Sequence, residues 1–173
     1  MFGLKLHWYQ LKALSSWLRD NVDDFQNSSS LEILNSLFPS SQFIYIYRKD
    51  TLRQAISLSI AIQTKEWARV AGSGEVSSKA KNLRFNPAQI RGCRNKTEKS
   101  NRNWQAFFEA NALDFYSIAY EDFVNSYEET VKEVYGFLGV EYSHGTITIP
   151  TEKQATSIND RWLFYYKTVP QPL

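Results

Sequence analysis

At 173 residues, the chain is long enough for one domain with a packed core. Its 43% hydrophobic, 15% aromatic and 22% charged residues exclude a disordered tail, a collagen-like repeat and a low-complexity segment. The net charge of +2 calls by itself for no polyanionic partner, and the single cysteine, Cys93, excludes an intrachain disulfide and argues against a cysteine zinc site.

The chain opens with Phe2–Leu6, a short apolar stretch that reads as a buried strand. Lys5 and His7 interrupt it, and no small-residue cleavage site follows, so it does not read as a secretory leader. No apolar run approaches the ~20 residues that span a bilayer. The expectation is one cytoplasmic domain over residues 1–173. Trp8, Leu11, Leu14 and Leu18 recur at helical spacing and predict a helix over Trp8–Leu18. Asn27–Ser30 marks a break and a cap for a short helix over Leu31–Phe38, which Pro39 ends.

Gln42–Tyr47 is β-branched or aromatic at every position after Gln42, as a central strand buried on both faces would be. Thr51 and Gln54 then fit a capping box that opens a long helix over Ala55–Ala71. Residues 72–102 are polar, and from Lys79 to Arg102 they carry Lys81, Arg84, Arg91, Arg94, Lys96 and Lys99 against Glu98. They read as a basic, mobile loop with one short helix near Pro87–Arg91. Such a segment can attract an anionic ligand. A nucleic-acid surface would interleave aromatics with the cations, and here Phe85 stands alone.

Trp104, Phe107, Phe108 and Ala112 predict a helix from Asn103, and Phe115–Tyr120 a second core strand. Asn125–Leu138 reads as a helix with Gly139 as a left-handed cap, Thr146–Ile149 as a short extended piece, and Ser157–Tyr166 as a last helix. Strands alternating with helices predict an α/β fold, a parallel sheet flanked by helices. Ligands of such sheets bind beyond the carboxyl ends of the strands, here after Leu6, Tyr47 and Tyr120.

Arg48, Lys49, Asp50 and Thr51 occupy the second of these junctions. Arg48 and Lys49 bring positive charge to the strand end, and the following helix brings its N-terminal amides. Ser57 lies six residues beyond Thr51, roughly 9 Å along the axis at ~1.5 Å per residue. Arg48 would fork onto two oxygens of a phosphate while Ser57 donates to a third. A solvated basic turn, with Ser57 as a small packing residue, accounts for the same residues equally well.

Phe2–Trp8 begins a longer pattern. Arg48-Lys49-Asp50 with Gln54-Ala55-Ile56-Ser57 continues it, followed by Asn103-Trp104, Phe107-Phe108, Tyr120-Glu121-Asp122-Phe123 and Phe137-Leu138-Gly139-Val140. Lys153-Gln154-Ala155, Asn159 and Trp162 close it. In this order and spacing the chain resembles the bacterial sulfotransferases related to trehalose 2-sulfotransferase. The resemblance implies a P-loop-like α/β fold that binds 3′-phosphoadenosine 5′-phosphosulfate. It implies transfer of the sulfuryl group to a hydroxyl, often on a carbohydrate, with no metal and no nucleic-acid partner. It assigns the 3′-phosphate to Arg48 and Ser57. Lys49 shares that role because the spacing is one residue longer than in the eukaryotic cytosolic enzymes. Tyr120 matches a tyrosine that touches adenine; a core tyrosine with an internally satisfied hydroxyl is the competing reading. Lys153 falls where these enzymes close over the nucleotide.

The family's 5′-phosphosulfate loop and its carboxylate base have no counterpart in the sequence. The expectation is therefore a sulfotransferase fold lacking its first strand–loop–helix, an N-terminal truncation. His7, at the end of the first predicted strand, is the remaining candidate base. Lys5, at the same strand end, and Trp67, far along the next helix, are candidates for acceptor contact. A non-catalytic remnant that binds the nucleotide weakly or not at all is the alternative, and a nucleic-acid module a further one. A shortened sheet would expose an unpaired strand edge, so homo-oligomers are expected.

Overall fold

Capping chemistry sets where most of the elements begin. Ser29 Oγ accepts the N–H of Glu32 at 3.2 Å while Glu32 accepts the N–H of Ser29 at 2.6 Å, a reciprocal box that opens one helix. Asn86 Oδ1 accepts the N–H of Gln89 at 2.9 Å, and Pro87 follows it at the first helical position, where its missing N–H costs nothing. The computed structural model describes residues 3–67, 83–142 and 157–168. In chain order these form α1 (Trp8–Asn21), a 3-10 turn (Asp23–Phe25), α2 (Ser30–Leu37), β1 (Phe43–Tyr47), α3 (Thr51–Thr64) and α4 (Pro87–Ala110). β2 (Phe115–Ala119), α5 (Tyr120–Asn125), α6 (Tyr127–Phe137) and α7 (Ser157–Thr168) follow. β1 and β2 pair in a small parallel two-stranded sheet flanked by helices.

The chain divides into two compact units. The first combines Met1–Tyr45 with Lys99–Ser117. There α1 packs on the 3-10 turn and on α2, burying Leu11, Leu18, Ile33 and Leu34. Arg19 Nε donates to the carbonyl of Ser28 at 2.8 Å and ties the end of α1 to the entry of α2. Phe108 is the aromatic centre of this unit. It stacks on Phe115 at 4.3 Å and meets Phe43 and Tyr45 edge-on at 5.8 Å.

The second unit combines Ile46–Glu98 with Ile118–Leu173. Its core is Ala55 and Ile56 of α3, Ile90 and Cys93 of α4, and Trp162 of α7, all buried, with Leu52, Ile60 and Phe85 packed around them. α3 ends where Lys65 turns left-handed, with φ of 63°.

Several expectations are corrected. The described part of Phe2–Leu6 forms no strand: Gly3, Leu4 and Lys5 are exposed, no neighbouring strand pairs with them among the described residues, and His7 caps α1 instead. β1 is not buried on both faces. Tyr45 points inward while Ile44 and Ile46 are exposed, because β1 has one partner strand among the described residues. The cap of α3 is Asp50, whose carboxylate accepts the N–H of Arg53 at 2.9 Å, and not Thr51. The basic loop expected over 72–102 is helical from Pro87 onward. Ile90, Cys93, Thr97, Trp104 and Phe107 share one face of α4, and two of those five positions are too small or polar to announce it. The helix expected over Asn125–Leu138 is present as α6, Tyr127–Phe137; the sequence did not announce the short helix α5 that precedes it. Gly139 adopts the expected left-handed conformation, with φ of 64°. Thr146–Ile149, residues 68–82 and Lys153 lie outside the described residues.

Because Asn86 supplies the side-chain cap of α4, Asn86→Ala is expected to cost about 1 kcal/mol, read as a lower urea midpoint at unchanged slope.

Candidate functional site

Parallel pairing brings the carboxyl ends of neighbouring strands to the same edge of a sheet. β1 stops at Tyr47, so Arg48 is the first residue beyond it; β2 stops at Ala119, so Tyr120 is the first beyond that. The two side chains meet. The Arg48 Cζ lies 3.8 Å from the centre of the Tyr120 ring, a guanidinium lying on an aromatic face.

The residues after them also meet. One carboxylate oxygen of Glu121 accepts the backbone N–H of Lys49 at 3.0 Å, and the other accepts that of Asp50 at 3.4 Å. The Lys49 ammonium lies 2.7 Å from both oxygens of Asp122. Further along the turn, Thr51 Oγ1 and Arg94 Nε both donate to Glu98 Oε1, at 3.0 and 2.8 Å. Arg53 reaches Asp160 of α7 at 2.8 Å.

These contacts set the electrostatics. Burial pushes the Glu121 carboxyl up, but the backbone N–H groups of Lys49, Glu121 itself and Asp50, with the charge of Arg48, outweigh it and hold it below its ordinary 4.5. The hydrogen bond to Asp122 raises the Lys49 ammonium above its ordinary value. A carboxyl held low when folded contributes stability above its unfolded value, and that contribution disappears as pH falls through the folded one. Wild type is therefore expected to lose more stability than Glu121→Gln between about pH 5 and pH 3, compared by urea unfolding at both pH values.

The amides of Lys49, Asp50 and Arg53 are thus committed to carboxylates of the chain itself. Those three amides are therefore not open to an anion at this junction. Neither the Arg48 guanidinium nor the half-buried hydroxyl of Ser57, further along α3, makes a hydrogen bond among the described residues. Both belong to the second unit, as do Lys49 and Tyr120. Lys49 lies at the same turn, with its charge directed to Asp122. Trp67 is exposed just beyond α3.

His7 and Lys5 belong to the first unit. His7 donates its backbone N–H to Gln10 Oε1 at 2.8 Å and stacks on Tyr9. Burial, and secondarily Lys5, lower the His7 imidazole below 6.5, so it is neutral at pH 7 with a lone pair that can accept a proton. Lys5 is exposed in the segment before α1. Burial pushes the Cys93 thiol up despite Lys96, and it is a core group. No group of three or more potential metal ligands occurs among the described residues, and no helix there is long and apolar enough to cross a membrane.

Sequence reasoning missed Glu121, Asp122 and Glu98 as partners of this junction. The legible signal was complementary charge, Arg48-Lys49 after one strand and Glu121-Asp122 after the next.

Among curated proteins none matches the chain. The sequence profile described as Stf0 sulphotransferase matches residues 1–169. With nearly every residue inside that match, the chain belongs to the Stf0 sulphotransferase family.

Proposed function

We propose that the chain binds 3′-phosphoadenosine 5′-phosphosulfate beyond β1 and β2 and transfers its sulfuryl group to a hydroxyl of a carbohydrate. Family membership supports sulfuryl transfer in general. The observation that carries the donor assignment is the Arg48 guanidinium on the Tyr120 ring at 3.8 Å, with its N–H groups making no hydrogen bond among the described residues. A guanidinium fixed by one face still presents its edge, and the edge is what forks onto a phosphate. Arg48 would hold the 3′-phosphate with Ser57 donating beside it. Tyr120 would offer its remaining surface to the adenine.

In the reaction the acceptor oxygen forms a bond to sulfur as the sulfur–oxygen bond to the 5′-phosphate breaks. Adenosine 3′,5′-bisphosphate leaves and the acceptor's proton passes to a base. There is little covalent work for the protein, so positioning the donor supplies much of the acceleration. Arg48, far from the reacting sulfur, acts by fixing where the nucleotide lies.

The test is incubation of the protein with sulfate-labelled donor and a panel of mono- and disaccharides. The expected result is a labelled sugar together with an equal amount of adenosine 3′,5′-bisphosphate. Nucleotide binding with no label in any sugar would overturn the carbohydrate assignment, and absence of nucleotide binding would overturn the donor assignment.

A further inference from the structure

Three consecutive residues after β2 grip three consecutive residues after β1. Tyr120 carries the Arg48 guanidinium, Glu121 bridges the N–H groups of Lys49 and Asp50, and Asp122 holds the Lys49 ammonium. The three grips differ in weight. The Lys49–Asp122 pair is more than half exposed on both sides, so it contributes little. The stacking of Arg48 constrains a side chain but leaves its backbone free. Glu121 is the partner that fixes backbone, because its two oxygens hold two successive amides directly after Arg48. A strand-to-helix turn usually leaves such amides to water or to a ligand. Here one charged side chain takes both, and charge-assisted hydrogen bonds are the stronger kind.

We propose that Glu121 is a positioning residue for the nucleotide's 3′-phosphate, holding the Lys49–Asp50 turn so that Arg48 is set against Tyr120 with its edge presented. The inference rests on the reading of Arg48 as the phosphate-binding group.

Two effects of opposite sign meet at Glu121. As a negative charge beside Arg48, it repels an incoming phosphate, and its removal would tighten binding. As a positioning group, its removal would weaken binding. Glu121→Gln separates them. Glutamine keeps one acceptor oxygen but turns an NH₂ toward the second amide, donor against donor, so the turn loosens while the shape is kept. Glu121→Asp keeps the charge but is shorter by one methylene and cannot span both amides.

The experiment is calorimetry of the full chain with adenosine 3′,5′-bisphosphate and with adenosine 5′-monophosphate, for wild type, both Glu121 variants and Arg48→Ala, each checked by thermal melting. Glu121→Gln is expected to weaken the bisphosphate about tenfold, as a disturbed charge-assisted contact would, and the monophosphate less than twofold. If the Gln variant does not fold, Glu121→Asp decides, with a several-fold loss expected on the bisphosphate alone. Unchanged or tighter bisphosphate binding would overturn the inference, and so would equal losses on both nucleotides, which mark a general structural role. Loss in Arg48→Ala without loss in the Glu121 variants removes this inference alone. Retention of full affinity in Arg48→Ala removes the reading of Arg48 as well.

Discussion

Arg48→Ala is expected to weaken adenosine 3′,5′-bisphosphate binding by about 10- to 100-fold. The size follows from what is removed: hydrogen bonds to a charged group are worth roughly 1.5–3 kcal/mol, and each ~1.4 kcal/mol is a factor of ten. The amides of Lys49, Asp50 and Arg53 are held by Glu121 and Asp50, so those three offer no substitute for the missing donor. Stability should change little. A guanidinium on an exposed or half-exposed ring is worth about 0.5–1 kcal/mol, and Arg48 makes no hydrogen bond among the described residues. Arg48→Lys keeps the charge without the planar fork, and is expected to recover only part of the affinity. Calorimetry with the three proteins checks both steps. Equal affinity in all three would mean that the phosphate lies elsewhere.

Trp162→Ala is expected to cost about 3–5 kcal/mol, the largest stability effect in the molecule. Trp162 is 3% exposed, lies 5.8 Å edge-on from Phe85, and joins Ala55, Ile56, Ile90 and Cys93 in one core. Ile158, Leu163 and Tyr166 of α7 pack around the same core, and α7 also meets α3 through the Arg53–Asp160 pair, whose side chains are about half and two-thirds exposed. Pairs of that kind contribute roughly 0–1 kcal/mol. Apolar burial centred on the indole, rather than the ion pair, therefore holds α7 on α3. Urea unfolding of Trp162→Ala and Arg53→Ala decides between them, and a larger loss in the arginine variant would reverse the ranking.

The parts of the fold legible in the sequence were those with strong local signals. Trp8–Leu18 shows its period in four apolar residues, Asn27–Ser30 marks a break and a cap that Ser29 supplies, and Gly139 marks a left-handed turn. β1 was placed within one residue by its unbroken run of aromatic and β-branched side chains. Its burial was misread, since the same run suits a half-exposed strand with one neighbour, and only tertiary structure tells them apart. α4 was read only at its two ends, near Pro87–Arg91 and from Asn103, and its middle was missed for a related reason. Its buried stripe passes through Thr97 and its solvent face is basic, so over residues 91–102 the hydrophobic period fades although the helix does not.

At the site, the sequence located the Arg48 turn through strand-end logic and family resemblance. It did not show that Tyr120 would lie against Arg48, because that contact needs the register of two strands separated by α3 and α4. It also assigned the α3 cap to Thr51. Asp50 and Thr51 are both good caps, and one residue of difference decides whether a carboxylate or a hydroxyl faces the helix amides.

The most direct measurement is a double cycle in which the protein loses its guanidinium and the ligand loses its 3′-phosphate. Affinities of wild type and Arg48→Ala are measured for adenosine 3′,5′-bisphosphate and adenosine 5′-monophosphate. Wild type should prefer the bisphosphate by at least about tenfold, and Arg48→Ala should lose most of that preference, which isolates a coupling of ~1.4 kcal/mol or more between the two groups. A substitution that weakens both nucleotides by the same factor, leaving the preference intact, would contradict a 3′-phosphate held by Arg48.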